Sequence, residues 1–226
     1  MTQVQTLATG LVLNPDSTPP PPERTIVCIG TPRGGTSMVA GAIAMLGVPM
    51  GKDLPENIED PNFNPIDHDT ARRGPFIDHV RQTVRERNAT HPVWGWKYPR
   101  ADRYLKDIVA DLRNPRLVVV QRDPAPATIR GVRAARRLGE DEAAAAYRTA
   151  RERLKVMATQ LDMVEALGLP SYLLSYEKAV LFPRRFLRDL AGFVGCPLPD
   201  DVSPILEFMK PGKYKNLPWG SFDGEP

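Results

Sequence analysis

Short apolar, β-branched runs alternate along this chain with longer stretches whose apolar residues recur every three or four positions. Residues 25–29 (Thr-Ile-Val-Cys-Ile) form one such run and stop at a glycine, which predicts a buried strand. Residues 93–96, 117–120 and 171–174 read the same way, the three consecutive valines before Gln121 being the clearest. Helical spacing marks residues 36–46, closed by Gly47, then Ile77/Val80/Val84, Leu105/Ile108/Val109/Leu112, residues 128–138, and Phe186/Leu187/Leu190/Phe193. The longest helix is predicted over 140–167. Its apolar positions Ala143, Tyr147, Ala150, Leu154, Met157, Leu161 and Val164 alternate by four and three. That seam suits packing on the domain's own sheet, and it also allows a homodimer through the 140–167 helix. Strands alternating with helices imply parallel pairing and right-handed crossovers. The fold class is therefore α/β, a layered domain whose central parallel sheet has about four to five strands flanked by helices.

Two segments fall outside this alternation. Proline is 24 of 226 residues, about twice the usual ~5%, and five of the prolines crowd residues 14–23. Such a run reads as extended polyproline II, so residues 1–23 are expected to be a flexible Pro-rich tail and 24–226 a single folded domain. Residues 50–75 mix prolines, glycines and acids and read as an irregular surface loop.

Composition narrows the function classes. A net charge of +3 is too small to imply nucleic acid and suits a local anion site. No apolar stretch reaches the ~18 residues of a membrane span, and the first ten residues lack the pattern of a secretory signal. Two cysteines, Cys28 and Cys196, make neither a disulfide framework nor a zinc site. A cytoplasmic protein is expected.

Three segments direct cations at one sheet edge. The first strand runs into Gly30-Thr-Pro-Arg-Gly-Gly-Thr-Ser37 and then a helix, a turn that presents backbone N–H groups and a positive helix end to an anion. Its spacing is P-loop-like, but Thr36 stands where a nucleoside triphosphate site needs lysine, and the cation has moved to Arg33. The third strand delivers Arg122, with Asp123 as the alternative, purely local partner for it. Lys97 directly follows the second strand. Ligands of open α/β sheets lie beyond these carboxyl ends.

Together these segments resemble the sulfotransferases that use 3'-phosphoadenosine 5'-phosphosulfate. The stretch from Thr31 to Ser37 is similar to that family's 5'-phosphosulfate loop, Val118-Val-Val-Gln-Arg-Asp-Pro124 to its 3'-phosphate segment, and Trp96-Lys-Tyr-Pro-Arg100 to the K-[DST]-P-R element of bacterial members. Ser175-Tyr-Glu177 is similar to its Y-E-x-L segment, and Glu59-Asp60-Pro-Asn-Phe63 to an E-D-x-x-F element. The resemblance implies a sulfotransferase-like P-loop domain that binds the cofactor, and its product adenosine 3',5'-bisphosphate, through Arg33, Gly34, Gly35, Thr36, Ser37, Arg122, Arg130 and Tyr176. It implies Lys97 and Arg33 at the leaving group, Glu59 as general base with His68 second, and no metal. The acceptor would be a small molecule, carbohydrate, lipid or peptide.

Three positions depart from the family pattern. Gly34 replaces a serine, Tyr98 replaces a small or acidic residue, and Arg130 stands where a serine usually holds the 3'-phosphate. Arg130 either grips that phosphate or belongs to a solvated stripe with Arg133 and Arg137. A P-loop kinase or nucleotide hydrolase, and a non-catalytic domain retaining the scaffold, are the competing readings.

Overall fold

The computed structural model describes residues 4–16, 19–65, 73–210 and 212. Its sheet holds six strands: β1 (Val4–Thr6), β2 (Gly10–Leu13), β3 (Arg24–Gly30), β4 (Val93–Lys97), β5 (Arg116–Gln121) and β6 (Ser171–Ser175), in the order β1-β2-β6-β5-β3-β4. The last four in chain order pair in parallel, so the predicted parallel core stands at four strands. Each buries both faces, as parallel strands must. Ile26 and Cys28 of β3 join Val118 and Val120 of β5 on one face, under α1 (Thr36–Met45), α7 (Pro183–Val194) and α8 (Ser203–Met209). Val27, Ile29, Leu117 and Val119 face the other way, with Trp94 and Trp96, toward α2 (Arg73–Thr90) and α3 (Leu105–Ile108).

Between β5 and β6 the chain makes a helical hairpin of α4 (Pro124–Leu138) and α5 (Glu142–Leu167), and α6 (Tyr176–Leu181) follows β6 directly. The chain passes from β3 to β4 on one side and from β5 to β6 on the other. The carboxyl ends of β3 and β5 therefore flank a topological switch point, where open α/β sheets place their ligands. Among the described residues no helix is long and apolar enough to cross a membrane.

Two expectations need correction. Residues 4–13 are not part of a flexible tail. β1 and β2 form a hairpin whose second strand pairs antiparallel with β6, from Gly10↔Leu174 to Leu13↔Ser171. The parallel sheet would otherwise leave β6 as an open edge, and the fully buried Thr9 fixes the hairpin there. Its hydroxyl bonds Tyr172 (2.6 Å) and Asp189 (2.7 Å), and its N–H donates to Asp189 (2.8 Å). The second correction concerns α5. Most of its 4-3 seam does not pack on the sheet: Tyr147, Leu154 and Leu161 are exposed, and of the seam only Val164 at its end is buried in the core, beside the buried Gln160. The seam's period was right, but the sheet is met only by the C-terminal part of the helix, where Val164, Met163 and Leu167 pack on the core. The short helix α8, whose buried Ile205 and Met209 close the α1 side, was not anticipated.

Candidate active site

Gly30 ends β3 and the chain turns through residues 31–35 into α1. The turn is held by Gly34 N–H donating to the Thr31 carbonyl (2.8 Å). Two residues take left-handed backbone, Arg33 (φ 59) and Gly35 (φ 93). Glycine is required at 35 for a second reason: a Cβ there would lie 2.1 Å from the Tyr176 ring. Arg33 has no such excuse, and left-handed backbone costs a non-glycine residue about 1–2 kcal/mol. Among the described residues no side chain caps α1, whose first residues Thr36, Ser37 and Met38 line a cavity of about 840 Å³. Its first-turn N–H groups thus retain the bonding capacity that suits an anion.

Lys97 is the deepest cation of this cavity. It ends β4 beside Cys28 and is only 2% exposed. Its ammonium donates to Glu59 Oε1 (2.7 Å), to the Asn57 carbonyl (2.9 Å) and, at 3.4 Å, to Ser37 Oγ, which itself donates to the Asn57 carbonyl (2.8 Å). Burial pulls the Lys97 ammonium below the ordinary lysine range, and Glu59 opposes it. Burial pushes the neighbouring Cys28 thiol up to about 12, Lys97 acting in the opposite sense. Cys28 is a packed side chain, not a nucleophile.

The loop that carries these acceptors is irregular but well anchored. Asp60, fully buried, caps the 3₁₀ turn Pro61–Phe63 and pairs with Arg87 of α2. Phe63 stacks on Trp96 at 4.3 Å between centroids. Between Asn57 and Glu59, the buried Ile58 takes left-handed backbone (φ 58), a conformation a β-branched residue rarely adopts. That local strain turns both neighbours toward Lys97.

Arg122, just past β5, lies with its guanidinium 4.5 Å over the Tyr176 ring and donates from Nη1 to the Arg33 carbonyl (3.0 Å). Among the described residues its buried Nε has no partner. Asp123 does not hold Arg122; it caps α4 by accepting from the Ala125 N–H (2.8 Å).

Of the residues expected at the site, Arg33, Gly35, Thr36, Ser37, Glu59, Lys97, Arg122 and Tyr176 line the one cavity. Gly34 is buried behind it as a turn residue. His68 lies outside the described residues, and Arg130 is on α4 with a side chain that is likewise not described. Sequence reading missed four contributors. Asn57 acts through its carbonyl, which no side-chain pattern marks. Phe208 and Met209 of α8 enter the lining from the far end of the chain. Gln160, buried in α5, bonds the ends of β3 and β4; a polar residue four before Val164 on a buried face was the available signal.

No protein-family model matches the chain, and no curated protein matches its sequence. Among solved structures, the chain is similar to the sulfotransferase domain from the curacin biosynthetic pathway, with a TM-score of 0.53 and 17% identity over 86% of this chain and 80% of that one. Retinol dehydratase, solved in complex with androsterone and inactive cofactor PAP, is matched at a TM-score of 0.48 and 12% identity, over 82% of this chain and 64% of its own length. The chain therefore has the P-loop-like α/β fold of a sulfotransferase domain, a layered sheet whose switch point carries the cavity just described.

Proposed function

We propose that this protein transfers a sulfuryl group from 3'-phosphoadenosine 5'-phosphosulfate to an acceptor hydroxyl or amine by in-line transfer. The observation that carries the reading is the convergence of an uncapped helix start, a buried lysine and a stacked arginine on one cavity at the switch point. The residues suit such a nucleotide. Arg122 has a buried Nε with no partner among the described residues, and the loop offers backbone N–H groups where a triphosphate site would need a lysine in place of Thr36. Bound, the cofactor would supply the sulfuryl group and a nucleotide phosphate as leaving group.

The chain's own residues divide the remaining work. The amides of residues 35–37, with the Thr36 and Ser37 hydroxyls, hold the 5'-phosphate. Arg122 takes the 3'-phosphate, and Arg130 on α4 is the second candidate for it. Lys97 and Arg33 offset negative charge that develops on the departing oxygen, and Lys97 does so from a site that is already dry. Glu59 accepts the acceptor's proton; His68 is the alternative base. A sugar, lipid, phenol or peptide hydroxyl is the acceptor.

The test is thermal unfolding with nucleotides. A ligand at 100 times its dissociation constant adds about 2.7 kcal/mol. Adenosine 3',5'-bisphosphate should raise the melting temperature without magnesium, and labelled cofactor should then transfer its sulfuryl group in an acceptor screen. A shift with Mg-ATP alone would replace this reading by a kinase, and no shift with either would leave a binding scaffold.

A further inference from the structure

The geometry points to Gln160 as the residue that positions the anion loop against Lys97. It sits on the buried face of α5, fully excluded from solvent. Its side-chain Nε2 donates to the Gly30 carbonyl (3.0 Å), the Pro99 carbonyl (2.9 Å) and, at 3.3 Å, Asp102 Oδ1. Gly30 is the last residue of β3 before the loop, and Pro99 lies two residues past Lys97. Asp102 in turn holds the Arg100 guanidinium with both oxygens. One amide thus joins the strand end that carries the loop to the strand end that carries the lysine, beyond the last ladder pair Cys28↔Lys97.

The other half of the same amide argues that this tie is not simply a stabilising core contact. Among the described residues, the buried Gln160 Oε1 has no hydrogen-bond partner. An orphaned buried acceptor costs free energy that an apolar side chain at this position would avoid. The direct backbone links between the two strand ends here, Tyr98 N–H to the Cys28 carbonyl and Gly30 N–H to the Pro99 carbonyl, both stand at 3.2 Å, the long end of the usual range. Gln160 therefore sets the separation of the loop amides from the Lys97 ammonium, and it acts through them without touching the cavity.

The activity arm of this inference rests on the sulfuryl-transfer reading; the structural arm does not. Three variants decide it: Gln160→Met, of similar volume and without donors; Gln160→Asn, one methylene too short to reach both carbonyls; and Val164→Ala, a control on the same buried face. Amide hydrogen exchange over residues 30–37 and affinity for adenosine 3',5'-bisphosphate are measured on the folded proteins. Both Gln160 variants should speed loop exchange and weaken the nucleotide about tenfold, and should lower kcat with little change in acceptor KM. Val164→Ala should lower the melting temperature and leave loop exchange and affinity as in the unaltered protein. Equal loop exchange in all three variants would overturn the role of Gln160. If the unaltered protein fails to bind the nucleotide, the functional reading falls, while the exchange comparison still judges Gln160.

Discussion

Replacing Glu59 by glutamine isolates the charge that steadies Lys97. The ammonium has three donors and three acceptors, Glu59, the Asn57 carbonyl and Ser37, and only the first is charged. Two unit charges about 4 Å apart at an effective dielectric of about 20 attract by about 4 kcal/mol. Glutamine keeps a carbonyl oxygen at the same reach and recovers about 1 kcal/mol of that. A loss of about 3 kcal/mol at neutral pH is expected, in line with breaking other buried pairs. The pH dependence supplies a sharper check. Burial already holds Lys97 below the ordinary lysine range, and Glu59 is the main influence opposing it. Without Glu59 the value falls further.

Between that lowered folded value and the unfolded one, the unfolded chain binds more protons, so stability rises with pH by up to about 1.4 kcal/mol per unit. The window opens at lower pH in the variant, and its deficit should shrink as pH rises. Denaturant unfolding from about pH 7 to about pH 10, on the unaltered protein, Glu59→Gln, Lys97→Met and the double variant, measures both quantities. A deficit below about 0.5 kcal/mol, or one that stays flat with pH in Glu59→Gln and equally in the double variant, would refute the reasoning.

Arg33→Gly relieves left-handed backbone and should stabilise the fold by about 1 kcal/mol in denaturant melts while transfer is lost, which separates the side chain's chemistry from its strain. Gly35→Ala drives a methyl into the Tyr176 ring, so titration calorimetry should find nucleotide affinity lost while the core unfolds cooperatively. Arg87→Met strands the buried Asp60 carboxylate and should cost about 3–5 kcal/mol in chemical denaturation. Deleting residues 1–13 uncovers the β6 edge and leaves Tyr172 and Asp189 without Thr9; the melting temperature should fall and light scattering should show association, whereas a dispensable tail would change neither.

The four parallel strands, the P-loop-like turn and the cations at the strand ends were legible in the sequence, because each is written in local terms. A β-branched run, a glycine-rich turn with a misplaced cation and a proline after a strand state their conformations within a few residues. Period alone also located α5, yet of its seam only Val164 reaches the core while Tyr147, Leu154 and Leu161 are exposed, since an exposed seam and a packed seam share a spacing. Pro-rich composition likewise hid a hairpin whose second strand, residues 10–13, pairs with residues 171–174 and whose first strand pairs with the second.

What the chain's order could not state is any relation between distant segments. That Glu59 meets Lys97, that Arg122 lies on Tyr176, and that Gln160 ties β3 to β4 are consequences of packing across the sheet. Backbone carbonyls such as those of Asn57, Gly30 and Pro99 take part equally, and every residue possesses one. Local sequence thus determined which elements form and which ends carry cations; tertiary structure decided which groups are buried together, because burial is a property of the assembled layers and not of any one of them.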